Sequence, residues 1–321
     1  MLPRLNQFLS EVEDPRVPWL VTYDIEGMVW SMTLQRLCLV ESARGWDDIK
    51  SQGFLLANIN ALSGCDFEHL PHSDTLKHLA GELDPDELNW VLYKCFIQLR
   101  TDKRLELFRH NGYFRIAIDA TEFHTSRHPM KHCCHRTLAN GEIEYFQSAL
   151  VVSLVAENGI RIPLHVEFIR NNEDAVEYAK QDCEFKAFFR MADKLKKAFP
   201  RQHFHLLLDS LYFSVKVIGL IESHHWKYTI VWKDQVAPSF SALARKQIAK
   251  RTSNRLPVDA REAGEKYVCG WYNGAIFKPH KAERGYSVNV FRAEGTFAWS
   301  EGKHTTFAYA TNQKLNKENI K

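Results

Sequence analysis

Apolar and polar positions change their period along this chain. Up to about residue 110 the apolar residues recur at three- to four-residue steps between turn signals, which predicts helices. The clearest start is Asp84-Pro85-Asp86-Glu87. Asp84 is placed to cap, Pro85 suits a first helical position, and Glu87 is predicted to reach back and complete a capping box. The helix that follows should carry Leu88, Val91, Leu92, Cys95 and Leu99 on one face, with further helices around Met28–Val40 and Thr75–Ala80.

From Tyr113 the period becomes two. In YFRIAIDAT, Phe114, Ile116 and Ile118 alternate with Arg115 and Ala117 until Asp119 ends the run, the signature of a strand. EYFQSALVVSLVA, residues 144–156, is a second strand, and Glu157-Asn158-Gly159 turns into a third, RIPLHVEFI. Ile160, Ile162, Leu164, Val166 and Phe168 are expected on one face of it, and Pro163, which has no amide to give a ladder, puts it at a sheet edge. An amphipathic helix is expected over Asp174–Phe199, with Val176, Ala179, Cys183, Ala187, Met191, Leu195 and Ala198 at helical spacing. A fourth strand, LLL, ends at Asp209; a helix over Val215–Glu222 and a fifth strand, Tyr228–Trp232, follow. Further on, Asn273-Gly274 is predicted as a hairpin turn between YVCGWY and AIF.

Composition narrows the class. The 321 residues are 45% hydrophobic and 25% charged, enough for a large core and two or three domains. The seven cysteines are odd in number and scattered, which suits reduced thiols rather than a disulfide framework. No run approaches the roughly 18 apolar residues of a membrane span, so a cytoplasmic protein without a membrane partner is expected. The formal charge of +3 conceals a basic segment: residues 236–304 hold twelve Lys or Arg against six Asp or Glu.

A carboxylate at the end of a buried strand is costly without compensation. Taken singly, Asp119 and Asp209 read as turn or cap residues. Their setting changes this, because three hairpin strands followed by helix, strand, helix and strand form a mixed α/β order similar to the ribonuclease H-like fold. That likeness implies a first and a fourth strand lying parallel at the sheet centre, a third at the edge, and two aspartates in one cleft. Paired carboxylates repel unless cations lie between them, and Mg²⁺ prefers carboxylate, water and phosphate oxygens. Two such ions about 4 Å apart can activate an attacking oxygen and stabilise a leaving one, which is phosphoryl-transfer chemistry.

IDATEF around Asp119, KQDCE at 180–184, and LLLDSLYFS around Asp209 followed by WKYTIVWKD together resemble the IS4-like group of DDE transposases over about Arg115–Asp234. The resemblance implies DNA nicking and strand transfer, with Asp119 and Asp209 as the first two metal-binding carboxylates for Mg²⁺ or Mn²⁺. It implies a helical accessory domain over 1–110, a ribonuclease H-like core over 111–234, a β-rich insertion over 235–310, and the start of a returning catalytic segment over 311–321. The partners implied are double-stranded DNA, both transposon ends and target, and further copies of the chain assembled on it, at the nucleoid. The family's third carboxylate lies in a Tyr-x2-Arg-x3-Glu-x6-Lys helix. The chain ends at YATNQKLNKENIK, and Glu318 lacks those companions and is expected at the surface. A truncated copy that binds metal more weakly is therefore expected. Glu184 is the other candidate for the third role, against the preferred reading of a solvated charge or one acting behind the ligands. Two alternatives stay open: a ribonuclease H-like nuclease without strand transfer, and an inactive fragment that binds DNA ends or co-assembles with an intact enzyme.

In SRHPMKHCCHR, His128, His132, Cys133, Cys134 and His135 crowd together. Zinc held by His132, Cys133 and His135 is one reading, but the spacing departs from recognised ligand patterns and an ordinary polar loop is preferred. ARKQIAKRTSNR presents Arg245, Lys246, Lys250, Arg251 and Arg255 without an acid, either a solvated helix face or a phosphate contact. Trp232, Trp271 and Trp299 read as core.

Overall fold

A computed structural model of the chain describes residues 4–171, 182–235, 237–260, 265–279 and 283–320. The chain divides into two units, Met1–Arg104 and Leu105–Lys321.

The helical period of the first unit is realised as α1 (Leu5–Ser10), α2 (Ile25–Leu37), α3 (Ala43–Ile49), α4 (Gly53–Ser63), α5 (Ser73–Glu82) and α6 (Pro85–Thr101). Met28, Trp46, Ile59 and Leu79 are wholly buried at its centre, and the Trp46 indole donates to Pro71 O at 2.9 Å, so its one polar atom is satisfied. α6 begins where the sequence places it. Asp84 caps it by accepting from the Asp86 amide at 2.9 Å, but the predicted capping box does not form. Glu87 accepts instead from the Glu13 amide at 3.2 Å, a tertiary donor that the local pattern does not disclose.

The second unit is built on one mixed sheet. Its described strands are β1 (Arg109–His110), β2 (Tyr113–Ser126), β3 (Cys134–Thr137), β4 (Ile143–Val155), β5 (Arg161–Ile169), β6 (Phe204–Leu208), β7 (Lys227–Val231), β8 (Arg255–Ala260), β9 (Glu265–Phe277), β10 (Tyr286–Thr296) and β11 (His304–Thr311). Its helices are α7 (Glu184–Ala198), α8 (Val215–Ser223) and α9 (Pro238–Lys250). The order is β3-β4-β2-β6-β7-β11-β10-β9-β8, with β1 on β2 and β5 on β4. β2 with β6 and β6 with β7 are parallel, and the other described pairs are antiparallel. The β-rich stretch continues this sheet, since β11 pairs with β7, Tyr309 opposite Val231. Residues 174–181 of the expected amphipathic helix lie outside the described residues; α7 carries the rest, burying Ala187, Met191 and Leu195 as the spacing predicts. Trp232 and Trp271 are core residues. Among the described residues no helix is long and apolar enough to cross a membrane.

Among the described strands β5 pairs with β4 alone, and Pro163 stands opposite Ser153 in that edge position. Its predicted single apolar face is interrupted, however. The register shifts between Val152 and Ser153, leaving Leu164 as an extra residue, and His165, Glu167 and Ile169 become the buried set beyond it. A bulge reverses which alternate residues face inward. α7 makes that burial tolerable: Arg190 donates to Glu167 Oε1 at 2.7 Å and Lys194 to Oε2 at 2.9 Å, with His165 3.4 Å from Oε2.

Burial alone would push the Glu167 carboxyl up, but hydrogen bonds from His165, Arg190 and Lys194 outweigh it and hold it at about 2, against an ordinary 4.5. That depression corresponds to about 3 kcal/mol. Because the folded value is the lower one, that stability is present above pH 4.5 and is lost as pH falls towards 2. Glu167→Gln is expected to lower the unfolding free energy by about 3 kcal/mol at pH 7 and to flatten the acid limb of the stability profile. Urea titrations of both proteins from pH 7 to pH 2 check this, and parallel profiles would contradict it.

Asn273-Gly274 does not turn the chain. β9 runs through it, and the register on β10 slips between Val288 and Val290. The positive φ of Gly274, 84°, serves a bulge opposite Asn289, whose Oδ1 accepts from the Gly274 amide at 3.0 Å. Asn273 joins Leu315 by two hydrogen bonds of 2.9 Å, one each way, so its side chain acts as a short length of strand.

Candidate functional site

The parallel ladder between β2 and β6 sets the geometry. Arg115, Ile116 and Ala117 stand opposite His205, Leu206 and Leu207. Asp119 and Asp209 each lie two residues beyond the last pair, so they are level with one another. They also share a face, because paired residues of neighbouring strands point the same way and side chains alternate along each strand. Both are exposed. β6 ends at Leu208 while β2 continues against β4, so the aspartates stand where the parallel pairing opens, at the carboxyl ends of the strands, the usual crevice for ligands in open α/β sheets.

The two carboxylates differ in what holds them. Asp209 is the N-cap of a short 3₁₀ turn, Ser210–Tyr212, and its Oδ1 accepts from the Leu211 amide at 2.8 Å. Among the described residues the Asp119 carboxylate makes no hydrogen bond or salt bridge. One carboxylate is thus fixed by the backbone, and the other has no such bond among the described residues.

Glu184 joins this pair, although helical spacing alone favours a solvated side chain there. It occupies the first turn of α7 and is half-buried. Tyr212, wholly buried three residues beyond Asp209, donates its hydroxyl to Glu184 Oε1 at 2.5 Å. Burial pushes the Glu184 carboxyl above the usual carboxylate range; the Tyr212 hydrogen bond opposes this, and the charges of Asp209 and Asp119 add to it. The Tyr212 hydroxyl is likewise held above the usual phenol range by burial, then by Glu184, Asp209 and Asp119. Glu184 therefore feels both aspartates. α7 packs on the face that carries His165 and Glu167, which the registers of β4 and β5 place opposite the aspartates' face. The signal that could have found Glu184 is the order KQDCE, strand, Asp209, Tyr212, but the contact spans a helix start and a turn.

The donors are all hard oxygens, which suits Mg²⁺ or Mn²⁺ over softer metals. As the side chains stand, no three His, Cys, Asp or Glu among the described residues enclose an ion. Mg²⁺ does not require such a cage, since it commonly takes one or two carboxylates and completes its shell with water and phosphate.

The other predicted residues are distributed elsewhere. His132 Nδ1 lies 3.3 Å from Asn171 O, and His135 packs its ring 6.3 Å from that of Tyr145. Cys133 is half-buried beside them. Arg245, Lys246, Lys250, Arg251 and Arg255 are all exposed, on and just after α9. Arg245 is paired with Asp234 at 3.2 Å, and Arg251 lies over the Tyr272 ring at 5.0 Å. Glu318 is exposed in a turn after β11. No protein-family model matches the chain, and no curated protein matches it.

Proposed function

We propose that this chain is a metal-dependent DNA strand-cleaving and strand-transferring enzyme of the DDE transposase type, built on a ribonuclease H-like core. The observation that carries this reading is the level, same-face placement of Asp119 and Asp209 at the open end of the β2–β6 ladder. Asp119, Asp209 and Glu184 are the residues that would hold Mg²⁺ or Mn²⁺, with Glu184 in the role the family gives to a later helix. When bound, the ions supply the positive charge that lowers the barrier to in-line attack on a phosphodiester by water or a DNA 3′-hydroxyl. The chain's own residues position: the Leu211 amide fixes Asp209, and the Tyr212 hydroxyl fixes Glu184. The exposed cations from α9 to the start of β8, Lys246, Lys250 and Arg255 among them, are the proposed contacts to DNA phosphates, with further copies of the chain assembling on the same DNA at the nucleoid.

The test is Mg²⁺-dependent nicking of supercoiled plasmid by the purified chain, paired with Mn²⁺ titration followed by electron paramagnetic resonance. Nicking and Mn²⁺ binding that both disappear when Asp119 and Asp209 are changed together to Asn support the reading. Nicking that survives in the double variant removes it.

A further inference from the structure

Phe123 is an exposed aromatic residue on the strand that carries Asp119. The β2–β4 register skips it, since Glu122 faces Ser148 and His124 faces Gln147, so it is the extra residue of a bulge. Bulges beside a site re-aim a side chain. The Phe123 ring packs edge-on against that of Phe168, with centroids 5.9 Å apart and planes at 87°, yet it remains 53% exposed. The registers fix the face on which this happens. Asp119, Val151 and Val166 form one row across β2, β4 and β5, and Thr121, Ala149 and Phe168 form the second row beyond it. Side chains alternate along a strand, so Phe168 lies on the same face as Asp119. The Arg170 guanidinium lies over the Phe168 ring at 4.7 Å and has no carboxylate partner among the described residues. The backbone beneath is tied down at the start of α7: Arg190 donates to Phe168 O at 3.1 Å, and the Arg170 amide donates to Asp182 Oδ2 at 3.0 Å.

We propose that Phe123, backed by Phe168 and Arg170, is a stacking platform for an unpaired base of the DNA strand whose phosphodiester lies at the aspartates. This rests on the DNA-cleavage reading and names the form of DNA taken, one that is single-stranded beside the cut. A base inside a duplex is stacked on both faces and offers nothing to an outside ring, whereas an unpaired base stacks on an aromatic side chain whatever its identity. Phe168 is two strands across and two residues along from Asp119, about 10 Å by about 7 Å, which places it about 12 Å away. At about 3.4 Å per nucleotide, the stacked base lies about three to four nucleotides from the phosphate at the aspartates, and fewer where the unpaired strand is stretched. Arg170 supplies a free positive charge for the phosphate next to that base. The surroundings suit nucleic acid rather than an apolar protein face, because Thr121, Glu122, His124 and Thr125 around the ring are polar and exposed.

The experiment mixes the full chain, without divalent metal, with a single-stranded oligothymidylate in which one base is 5-iodouracil, then irradiates and digests with trypsin. The expected result is a cross-link in the peptide 116–127, at Phe123. Phe123→Leu, which keeps apolar contact with Phe168 but has no π-face, should weaken binding of the oligonucleotide about tenfold or more by fluorescence anisotropy. Phe123→Trp should restore it, and in both variants the circular dichroism spectrum, Mn²⁺ binding and affinity for blunt duplex should match the wild type. If the wild type nicks plasmid through Asp119 and Asp209 while Phe123→Leu binds the oligonucleotide normally, the platform is wrong and the cleavage reading stands. Binding that depends on Phe123 in a chain that does not nick removes the cleavage reading alone. Cross-links confined to other peptides, equal losses of single-strand and duplex affinity, or a self-association that Phe123→Leu abolishes would each overturn the platform.

Discussion

Asp209→Asn and Asp119→Asn should each lower Mg²⁺-dependent nicking by about a thousandfold or more, for the charge stabilisation a bound ion gives is worth several kcal/mol and each 1.4 kcal/mol is about tenfold in rate. The choice of asparagine matters most at Asp209. Its Oδ1 caps the 3₁₀ turn by accepting from the Leu211 amide, and asparagine caps about as well as aspartate. Asp209→Asn therefore removes the charge and keeps the structural role. Asp209→Ala removes both and should cost about 1 kcal/mol of stability in addition. If Asp209 is only a cap, the asparagine variant will match the wild type in nicking, in Mn²⁺ affinity and in stability, and the alanine variant alone will be weakened. If it holds metal, the two variants will be equally inactive and will differ only in stability. Asp119 has no capping bond to preserve, so Asp119→Asn and Asp119→Ala should behave alike. Unaltered nicking in both asparagine variants would end the catalytic assignment.

What could be read from the residues is what local rules decide. Pro163 has no amide to donate, so the edge position of β5 follows from one residue, and Asp84-Pro85 marks the start of α6 because capping is settled within a turn. The level meeting of Asp119 and Asp209 was legible as an implication of the element order, and the β2–β6 register supplies the geometry. What was not legible depends on partners far along the chain. Glu87 takes the Glu13 amide instead of its own N-cap. Gly274 uses its positive φ in a bulge, a need as compatible with Asn-Gly as a hairpin turn is. Glu167 is buried on an edge strand because α7 presents Arg190 and Lys194 to it, and Glu184 is drawn inward by a tyrosine beyond the next strand.

Glu184→Gln separates the cost of this site from its use. The folded-state pKa of Glu184 is raised, chiefly by burial, with Asp209 and Asp119 adding. A group raised in the folded state contributes stability below its unfolded value and loses it as pH rises through the folded value, so at pH 7 to 8 the ionised glutamate destabilises the metal-free protein. Glutamine keeps an oxygen for the Tyr212 hydroxyl, now 2.5 Å from Glu184 Oε1, and removes the charge. The metal-free variant should therefore be more stable than the wild type at pH 8, and the gap should close as pH falls below the carboxylate range. Metal should reverse the order. Binding to the folded state alone stabilises by about 2.7 kcal/mol at a hundred times Kd, so adding Mn²⁺ should raise the Tm of the wild type while barely moving that of Glu184→Gln. A solvated or merely structural Glu184 predicts the opposite pattern, with equal metal-induced shifts in both proteins and no pH-dependent gap. Differential scanning calorimetry at pH 4 and pH 8, with and without Mn²⁺, distinguishes the two, and the crossing of the stability order is the result that a role near the ion requires.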